Sequence, residues 1–295
     1  MTSSRIQFII LALVKKEEFE VKLQERLSAP MVWKEICKVT YTDTGVLHNP
    51  YLTDATVASG TRYTGYTSVA VVTTDESVNI SDYDYSAMHV DRADLAQKSF
   101  SDWMEVADNM GTMLNEKMES SMLLEHAQWT NLGDVGGGAI GAGSTGITVS
   151  IGNADDIIDA VKQAVRTAGG KDLAERYGMF IQWREADFTK VEALARSQGF
   201  NTADDVLKNG IKQGFFYGGV EHYSTSKNVA LHVFAGVKKA FHVGVVKSTY
   251  GLMTQIENPV VGGAQISGIG LESRIDRKFK AWTKMVPILF DINVL

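Results

Sequence analysis

Histidines are the side chains of this 295-residue chain best suited to metal binding or proton transfer. There are six of them: His48, His89, His126, His222, His232 and His242. No two stand at the three-to-five-residue spacing of zinc ligands on one helix, and Cys37 is the single cysteine. His222, His232 and His242 are spaced so that neighbouring strands would bring them together as a three-histidine metal site. Strand histidines that are separately hydrogen-bonded or exposed are the simpler interpretation.

Glycine-rich segments support phosphate or acyl chemistry only between particular elements. Gly136–Gly141 matches the dinucleotide fingerprint, which requires a strand before it and a helix after it. Here a predicted long helix precedes it and β-like residues follow, so we interpret residues 131–146 as a flexible linker. Ala142–Gly146 approximates a nucleophile elbow and lacks the same flanking elements. Lys171 follows a glycine as in a phosphate loop, but the next residue is acidic where that loop has Ser or Thr.

The acidic pairs and the cysteine have structural interpretations. Asp155-Asp156 and Asp204-Asp205 fall in the first turns of predicted helices, where carboxylates interact favourably with the helix dipole. Cys37 is interpreted as a buried structural thiol, and a single cysteine is typical of a chain that matures in a reducing compartment. We therefore expect no catalytic, cofactor-binding or metal-binding residues, and no cofactor.

Composition indicates a folded, acidic chain. Hydrophobic residues make up 44% and charged residues 22%, and the net charge is −6, with acids and bases mixed along the chain. Because there is no basic block, sequence-specific DNA binding is not expected. The apolar run Ile6–Val14 is too short to span a bilayer and has no small-residue cleavage pattern nearby, so neither a membrane span nor a signal peptide is expected.

The dominant predicted element is a long amphipathic helix from Asp91 to Trp129, with Asp94 as its capping partner. At 1.5 Å per residue it would be roughly 55 Å long. Gly111 costs about 1 kcal/mol there relative to Ala, so we expect a bend or a close contact at that position. The predicted apolar stripe consists of Leu95, Trp103, Val106, Met110, Met113, Leu114, Met118 and Leu124.

Less regular patterns surround this helix. An N-terminal helix is predicted over residues 5–27, with an apolar stripe made of Phe8, Leu11, Phe19, Leu23 and Leu27. Residues 32–90 are rich in Thr, Tyr, Val and Ser and are predicted to be extended, with a hairpin arm around Val69–Val72. An α/β region follows the glycine-rich segment. Its predicted helices span 154–168, 187–198 and 202–210, and its predicted strands span 179–183, 215–222, 229–234, 240–246 and much of 270–295.

This α+β order of elements resembles the Hong Kong 97-like fold of the major capsid proteins of tailed bacteriophages. Val90–Gln97 is similar to the junction between the extended loop and the spine helix of that family. Ser226–Ala240 is similar to its apical-domain strand and turn, and Leu271–Arg274 with Lys280–Trp282 resembles its final peripheral-domain strands. The resemblance covers nearly the whole chain as an architecture.

The resemblance implies a domain organisation. Its parts would be an N-terminal arm (1–51), an extended β-hairpin loop over the neighbouring subunit (52–90), a peripheral domain with the spine helix (91–150), an α/β apical domain (151–255) and peripheral return strands (256–295). It also implies a non-enzymatic structural subunit of the virion. Copies would self-assemble in the host cytoplasm into hexamers and pentamers of an icosahedral head around double-stranded DNA. Scaffolding, portal and decoration proteins would be partners, and no membrane would be involved.

One departure and two alternatives qualify this expectation. Some family members lock their shells with an isopeptide from an extended-loop lysine, but residues 45–90 contain no lysine, so that cross-link is not expected. The first alternative is an encapsulin-type nanocompartment shell with the same fold. The second is a Gly-loop enzyme of α/β type.

Overall fold

The computed structural model describes residues 20–27, 31–52, 59, 70–91, 100–136, 139–141, 146–198, 214–225, 227, 231–257, 260–261, 264–265 and 268–294. Within these ranges the protein is a mixed α+β structure, as the sequence predicted. Its helices are α1 (residues 20–27), α2 (Val32–Ile36), α3 (Phe100–Leu124), α4 (Ala154–Thr167), α5 (Lys171–Tyr177) and α6 (Glu185–Ser197), with 3₁₀ turns η1 (Glu125–Gln128) and η2 (Val286–Ile288). No helix in the described part of the chain is long and apolar enough to cross a membrane.

One sheet has five strands and packs against α3. Its strands are β1 (Lys38–Thr42), β4 (Asp82–Asp91), β11 (Phe241–Val246), β12 (Met253–Glu257) and β15 (Gly268–Ala281). β15 pairs antiparallel with β4 through ten residue pairs, and with β11 and β12 on its other edge. Residues of β15 alternate between buried and more exposed positions from Leu271 to Ala281, because one face packs on the core.

The second sheet has seven strands in the order β6-β5-β16-β10-β7-β9-β8. These strands are β5 (Thr130–Gly136), β6 (Ala139–Gly141), β7 (Met179–Arg184), β8 (Gly214–Tyr217), β9 (Val220–Thr225), β10 (His232–Val237) and β16 (Leu289–Asn293). Central strand β10 is buried from Val233 to Val237, since it lies between β16 and β7 and under covering helices. In the chain, α3 is followed by η1 and then by β5, so β5 connects the end of the long helix to this sheet.

Two short ladders complete the described structure. β2 (Val46–Leu52) pairs antiparallel with β3 (Thr73–Asn79) through seven residue pairs. A hairpin is therefore present, but its first strand lies N-terminal to the predicted Val69–Val72 region, mostly in the residues assigned to the N-terminal arm. β13 (Val260–Val261) pairs with β14 (Ala264–Gln265). The domain boundaries at 51, 90, 150 and 255 stay predictions.

The long helix is present but begins later than predicted. Asp91 is the last residue of β4, so the prediction that it opens the helix is wrong, and Asp94 and Leu95 lie outside the described residues. The described helix α3 has 25 residues, about 37 Å, and it ends at Leu124 instead of Trp129 because η1 follows it. Its stripe is confirmed at Met110, Leu114 and Met118.

None of the remaining stripe residues that the structure describes is fully buried in the core. Val106 is half-buried against the core, while Met113 and Leu124 are exposed and the Trp103 side chain lies outside the described part. Ala107, Met122 and Leu123 occupy the buried face in their place, because the helix contacts α1, α2 and β4 over a wider arc than one stripe.

Several other sequence predictions are corrected. Residues 131–146 are not simply a linker, since β5 and β6 lie within them and β5 pairs with β16. The strand predicted over 215–222 is a hairpin, in which Gly218 and Gly219 both have positive φ. α2 and α5 lie where no helix was predicted, and the predicted 202–210 helix lies outside the described residues.

Gly111 is a close contact. A Cβ built on it would lie 2.7 Å from Arg26 Cβ and 3.4 Å from the Leu23 backbone oxygen, atoms whose positions are fixed by the backbone of α1. Leu23 and Leu27 are fully buried there, which confirms the C-terminal part of the predicted N-terminal helix. The absent side chain at Gly111 therefore lets α1 and α3 pack against each other.

We expect Gly111→Ala to destabilise the fold by about 1–3 kcal/mol, although Ala favours a helix, because the added methyl overpacks the α1–α3 contact. Urea unfolding of the unassembled subunit measures the change. Gly152→Ala is the control, since a Cβ there meets only Ser150 Oγ at 3.9 Å. A more stable Gly111→Ala protein would contradict the prediction.

Candidate assembly surfaces

The β2–β3 hairpin, called the arm below, has little of its own to pack on. Leu47 is buried at its base, where it contacts the Gly244 position of β11. Beyond the base most side chains are half-buried or exposed, and Leu52, Val71 and Val72 are 55–73% exposed. A two-stranded hairpin is marginally stable alone in water. The arm is thus anchored by Leu47 at its base and contacted by Thr283 and Lys284 at Glu76 and Tyr51, and it presents apolar side chains beyond these contacts.

A second exposed surface lies on the outer side of the β4–β15 pair, and we call it the ribbon face. Tyr83 and Tyr85 are 50% and 60% exposed, with ring centroids 6.0 Å apart. The Arg274 guanidinium lies 4.2 Å from the Tyr83 ring centroid, and Arg274 also pairs with Asp276 at 2.5 Å. Tyr and Arg are enriched in protein–protein interfaces, because they combine contact area with hydrogen-bonding groups.

The inner side of the same strand pair carries a buried ionic clamp. Arg277 Nε and Nη2 donate to the two Asp84 oxygens at 2.6 and 3.1 Å, and Ser121 Oγ of α3 donates to the same carboxylate. All three residues are at least nine-tenths buried. The clamp joins β4, β15 and the long helix, and because strand side chains alternate, it directs Tyr83 and Tyr85 outward.

The three strand histidines that their sequence spacing suggested as one metal site do not come together in the structure. His222 lies in the seven-stranded sheet, where Trp183 Nε1 donates to its Nδ1 at 2.9 Å and its Nε2 bonds Tyr217 O at 3.1 Å. His242 lies in the five-stranded sheet and accepts from Trp282 Nε1 at 2.6 Å. Burial lowers the pKa of each imidazole to about 4. Both are neutral structural acceptors for an indole, which confirms the simpler interpretation for these two.

His232 has different neighbours. Its Nδ1 lies 2.8 and 3.0 Å from the Asp291 oxygens, and His126 Nδ1 lies 3.2 Å from the same carboxylate. Sequence reasoning missed this group, because the three residues are far apart in the chain and come from η1, β10 and β16. The one sequence feature that could have indicated this group is Asp291, a single acidic residue in the mostly apolar strand Leu289–Asn293.

The glycine motif has the wrong surroundings for a nucleotide. Gly136 ends β5 and Gly141 ends β6, and the two strands pair antiparallel. A strand does precede the motif, contrary to the prediction, but a strand stands where the fingerprint requires a helix N-terminus. Lys171 begins the short helix α5.

No family model matches the chain, and no curated protein matches it in sequence. Solved structures do match. A virus-like particle from Pyrococcus furiosus aligns with a TM-score of 0.54 at 13% identity, covering 94% of this chain and 98% of that one. The capsid of Ralstonia phage GP4 aligns at 0.55 and 9% identity, covering 88% and 87%. The mature capsid of bacteriophage PhiM1 aligns at 0.55 and 11%, covering 90% and 87%.

This chain has the Hong Kong 97-like fold. The alignments cover 88–94% of this chain and 87–98% of those structures. Of the stretches that carried the resemblance, Val90 and Asp91 end β4, Ser226–Ala240 contains β10, and Leu271–Arg274 lies in β15. Residues 92–97 lie outside the described part.

The clamp of this Hong Kong 97-like subunit is testable. We expect Asp84→Ala to lower the free energy of unfolding by about 3 kcal/mol, because the buried Arg277 charge loses its bidentate partner and keeps only the longer 3.9 Å pairing with Asp82. Asp159→Ala is the control, because this aspartate lies in α4, away from the clamp. The Asp159 side chain is 76% exposed and pairs with Lys162 at 3.0 Å, so its loss should cost at most about 1 kcal/mol. Chemical denaturation measures both, and equal losses would refute the assignment.

Acid should destabilise the fold partly through His222. Its pKa is near 4 in the folded protein and about 6.5 when unfolded. Between these values the unfolded chain binds more protons, so stability falls as pH decreases through this window. His222→Gln removes the titration, and we expect this variant to lose about 2–3 kcal/mol less than wild type between neutral pH and pH near 4.

Urea midpoints at the two pH values measure this difference. His89→Gln is the control, because His89 is exposed. If His222→Gln and His89→Gln show the same acid sensitivity, the buried His222 does not contribute as described.

Proposed function

We propose that this chain is the major capsid protein of a tailed bacteriophage. Copies of it self-assemble into hexamers and pentamers of an icosahedral head that encloses double-stranded DNA. Its place is the virion, and assembly takes place in the host cytoplasm. Its role is structural, without catalysis. The observation that carries the proposal is the alignment, over nearly the whole length of both chains, with structures from phage capsids.

The surfaces of the subunit support self-association. The arm is a two-stranded ladder whose outer edges have no strand partner among the described residues, and unpaired strand edges are sites for contact with another chain. The ribbon face adds two exposed tyrosines and an arginine. A neighbouring subunit that covered both would bury apolar area and complete the hydrogen bonding of the arm.

The net charge of the chain is consistent with a shell that encloses DNA. The net charge of −6 gives no general attraction for phosphates, so packaged DNA would contact the shell non-specifically. Scaffolding, portal and decoration proteins are the expected partners of such a subunit.

A shell that encloses cellular cargo is the second candidate. We keep it as a candidate because one matching structure, from Pyrococcus furiosus, is described as a virus-like particle and not as a phage capsid, and the alignment covers 98% of that chain. Both candidates require closed shells, and they differ in content.

Electron microscopy of the purified full-length chain, alone and with the neighbouring genes co-expressed, tests the proposal. Closed icosahedral particles with nuclease-protected DNA and a tail at one vertex support the phage head. Closed particles that hold protein cargo and no DNA favour the nanocompartment. A chain that stays monomeric under all these conditions would rule out both.

Residues 53–72, which connect the two strands of the arm, are expected to be necessary for the shell and dispensable for the fold. Replacing residues 53–72 with Asn-Gly keeps β2, β3 and β4 and closes the hairpin with a favoured two-residue turn. We expect a subunit with an unfolding midpoint close to that of wild type that forms no stable closed shells. Negative-stain microscopy and sedimentation measure assembly, and urea unfolding measures folding. Particles of normal yield and size would overturn the role of residues 53–72 in contacts between subunits.

A further inference from the structure

His126, His232 and Asp291 form a compact group of possible metal ligands. One ligand atom from each lies within 4.8 Å of the other two, and the imidazole centroids are 4.5 Å apart. Both Nδ1 atoms point toward the same carboxylate, at 2.8–3.2 Å. In a tetrahedral zinc site with bonds of about 2.0–2.1 Å, neighbouring ligand atoms are about 3.3 Å apart. Small side-chain shifts would therefore place the three atoms around one ion.

The backbone holds this group in place. His232 begins β10 and Asp291 lies in the middle of β16, and the two strands pair so that Phe234 stands opposite Asp291. Both imidazoles lie against the buried Phe234 ring, with centroids 6.2 and 6.4 Å away. His126 is in η1, directly after the long helix. Two of the three ligands are thus on central strands, a rigid support for coordination.

The buried Asp291 carboxylate in this group needs a positive charge to compensate it. The Asp291 side chain is only 4% exposed, and a buried carboxylate is costly unless a positive charge compensates it. Among the described residues its ion-pair partners are the two histidines, which are neutral unless protonated. A divalent ion would neutralise the carboxylate and take the Nδ1 lone pairs of both rings in place of protons.

We propose that His126, His232 and Asp291 bind a divalent transition-metal ion of the zinc class. Two imidazoles and one carboxylate are ligands that zinc prefers, and three protein ligands leave a fourth position for water. The histidine side chains are 22–28% exposed, which gives the ion a route of entry. The site clamps the end of the long helix to the centre of the seven-stranded sheet. It does not depend on the proposed shell function.

Zinc titration of the untagged full-length chain, stripped with chelator and held at neutral pH, tests the site. Calorimetry should give one Zn²⁺ per chain. A hundredfold excess of zinc over Kd should raise the melting temperature by about 5 °C. Substituted cobalt should show a tetrahedral ligand-field spectrum. We expect His126→Ala and Asp291→Asn to weaken binding more than about 100-fold, because even outer-shell partners contribute about 10–100-fold.

His48→Ala is the matched control. His48 Nδ1 also pairs with a carboxylate, Asp75, at 2.7 Å, but this exposed pair has no second imidazole among the described residues. It should bind zinc as wild type does. His126 lies outside the strand ladders, so His126→Ala keeps the test valid if Asp291→Asn misfolds. Absence of stoichiometric binding by wild type, or equal affinity of wild type and His126→Ala, would overturn the site.

Discussion

The Asp84–Arg277 ion pair is the interaction on which the arrangement of this subunit depends. It is buried, bidentate and bonded to Ser121, so it joins three elements that are far apart in the chain. A buried ion pair contributes little net stability compared with apolar packing, but a broken one is strongly destabilising. The ion pair therefore acts mainly by fixing the register of β4 against β15. A shift of β4 by one residue would put Tyr83 or Tyr85 against the helix and leave Arg277 without its carboxylate.

The same register separates the inner and outer surfaces of the subunit. The inner side of the β4–β15 pair belongs to the core with α3, and the outer side presents tyrosines and Arg274. The arm extends from this sheet with Leu47 as its buried anchor. Burial within one chain is thus complete at the base of the arm and incomplete along it. On the proposed function, this is the property expected of a subunit that a second copy stabilises further.

The seven-stranded sheet is tied to the rest by aromatic and imidazole contacts. Trp129, between η1 and β5, packs edge-on against Phe180, Phe234 and Phe241, and these phenylalanines come from both large sheets. Each large sheet also holds one buried neutral histidine that accepts a hydrogen bond from an indole, His222 from Trp183 and His242 from Trp282. The junction between the long helix and this sheet therefore combines aromatic packing with hydrogen bonds to imidazoles. The His126–His232–Asp291 group lies at the edge of this junction.

Much of the fold follows from local patterns in the sequence. Apolar spacing of 3.6 predicted the central part of α3, with α4 and α6, and β-rich runs predicted β7, β11 and the arm hairpin, because these signals come from neighbouring residues. The start of α3, the Gly218-Gly219 turn and strand β5 were missed. β5 is a glycine-containing segment that becomes a strand only because β16 provides its hydrogen-bond partners.

The sequence by itself determined an α+β chain with a long helix, an arm that cannot bury its own residues, and no recognisable motif for nucleotide chemistry. The tertiary structure alone decided which side chains meet. It separated His222 and His242, which equal spacing had grouped with His232, and it placed His232 beside His126 and Asp291. It also paired Asp84 with Arg277 across 193 positions. The physical reason is that strand pairing and helix packing set these distances, and neither is encoded in the spacing of residues along the chain.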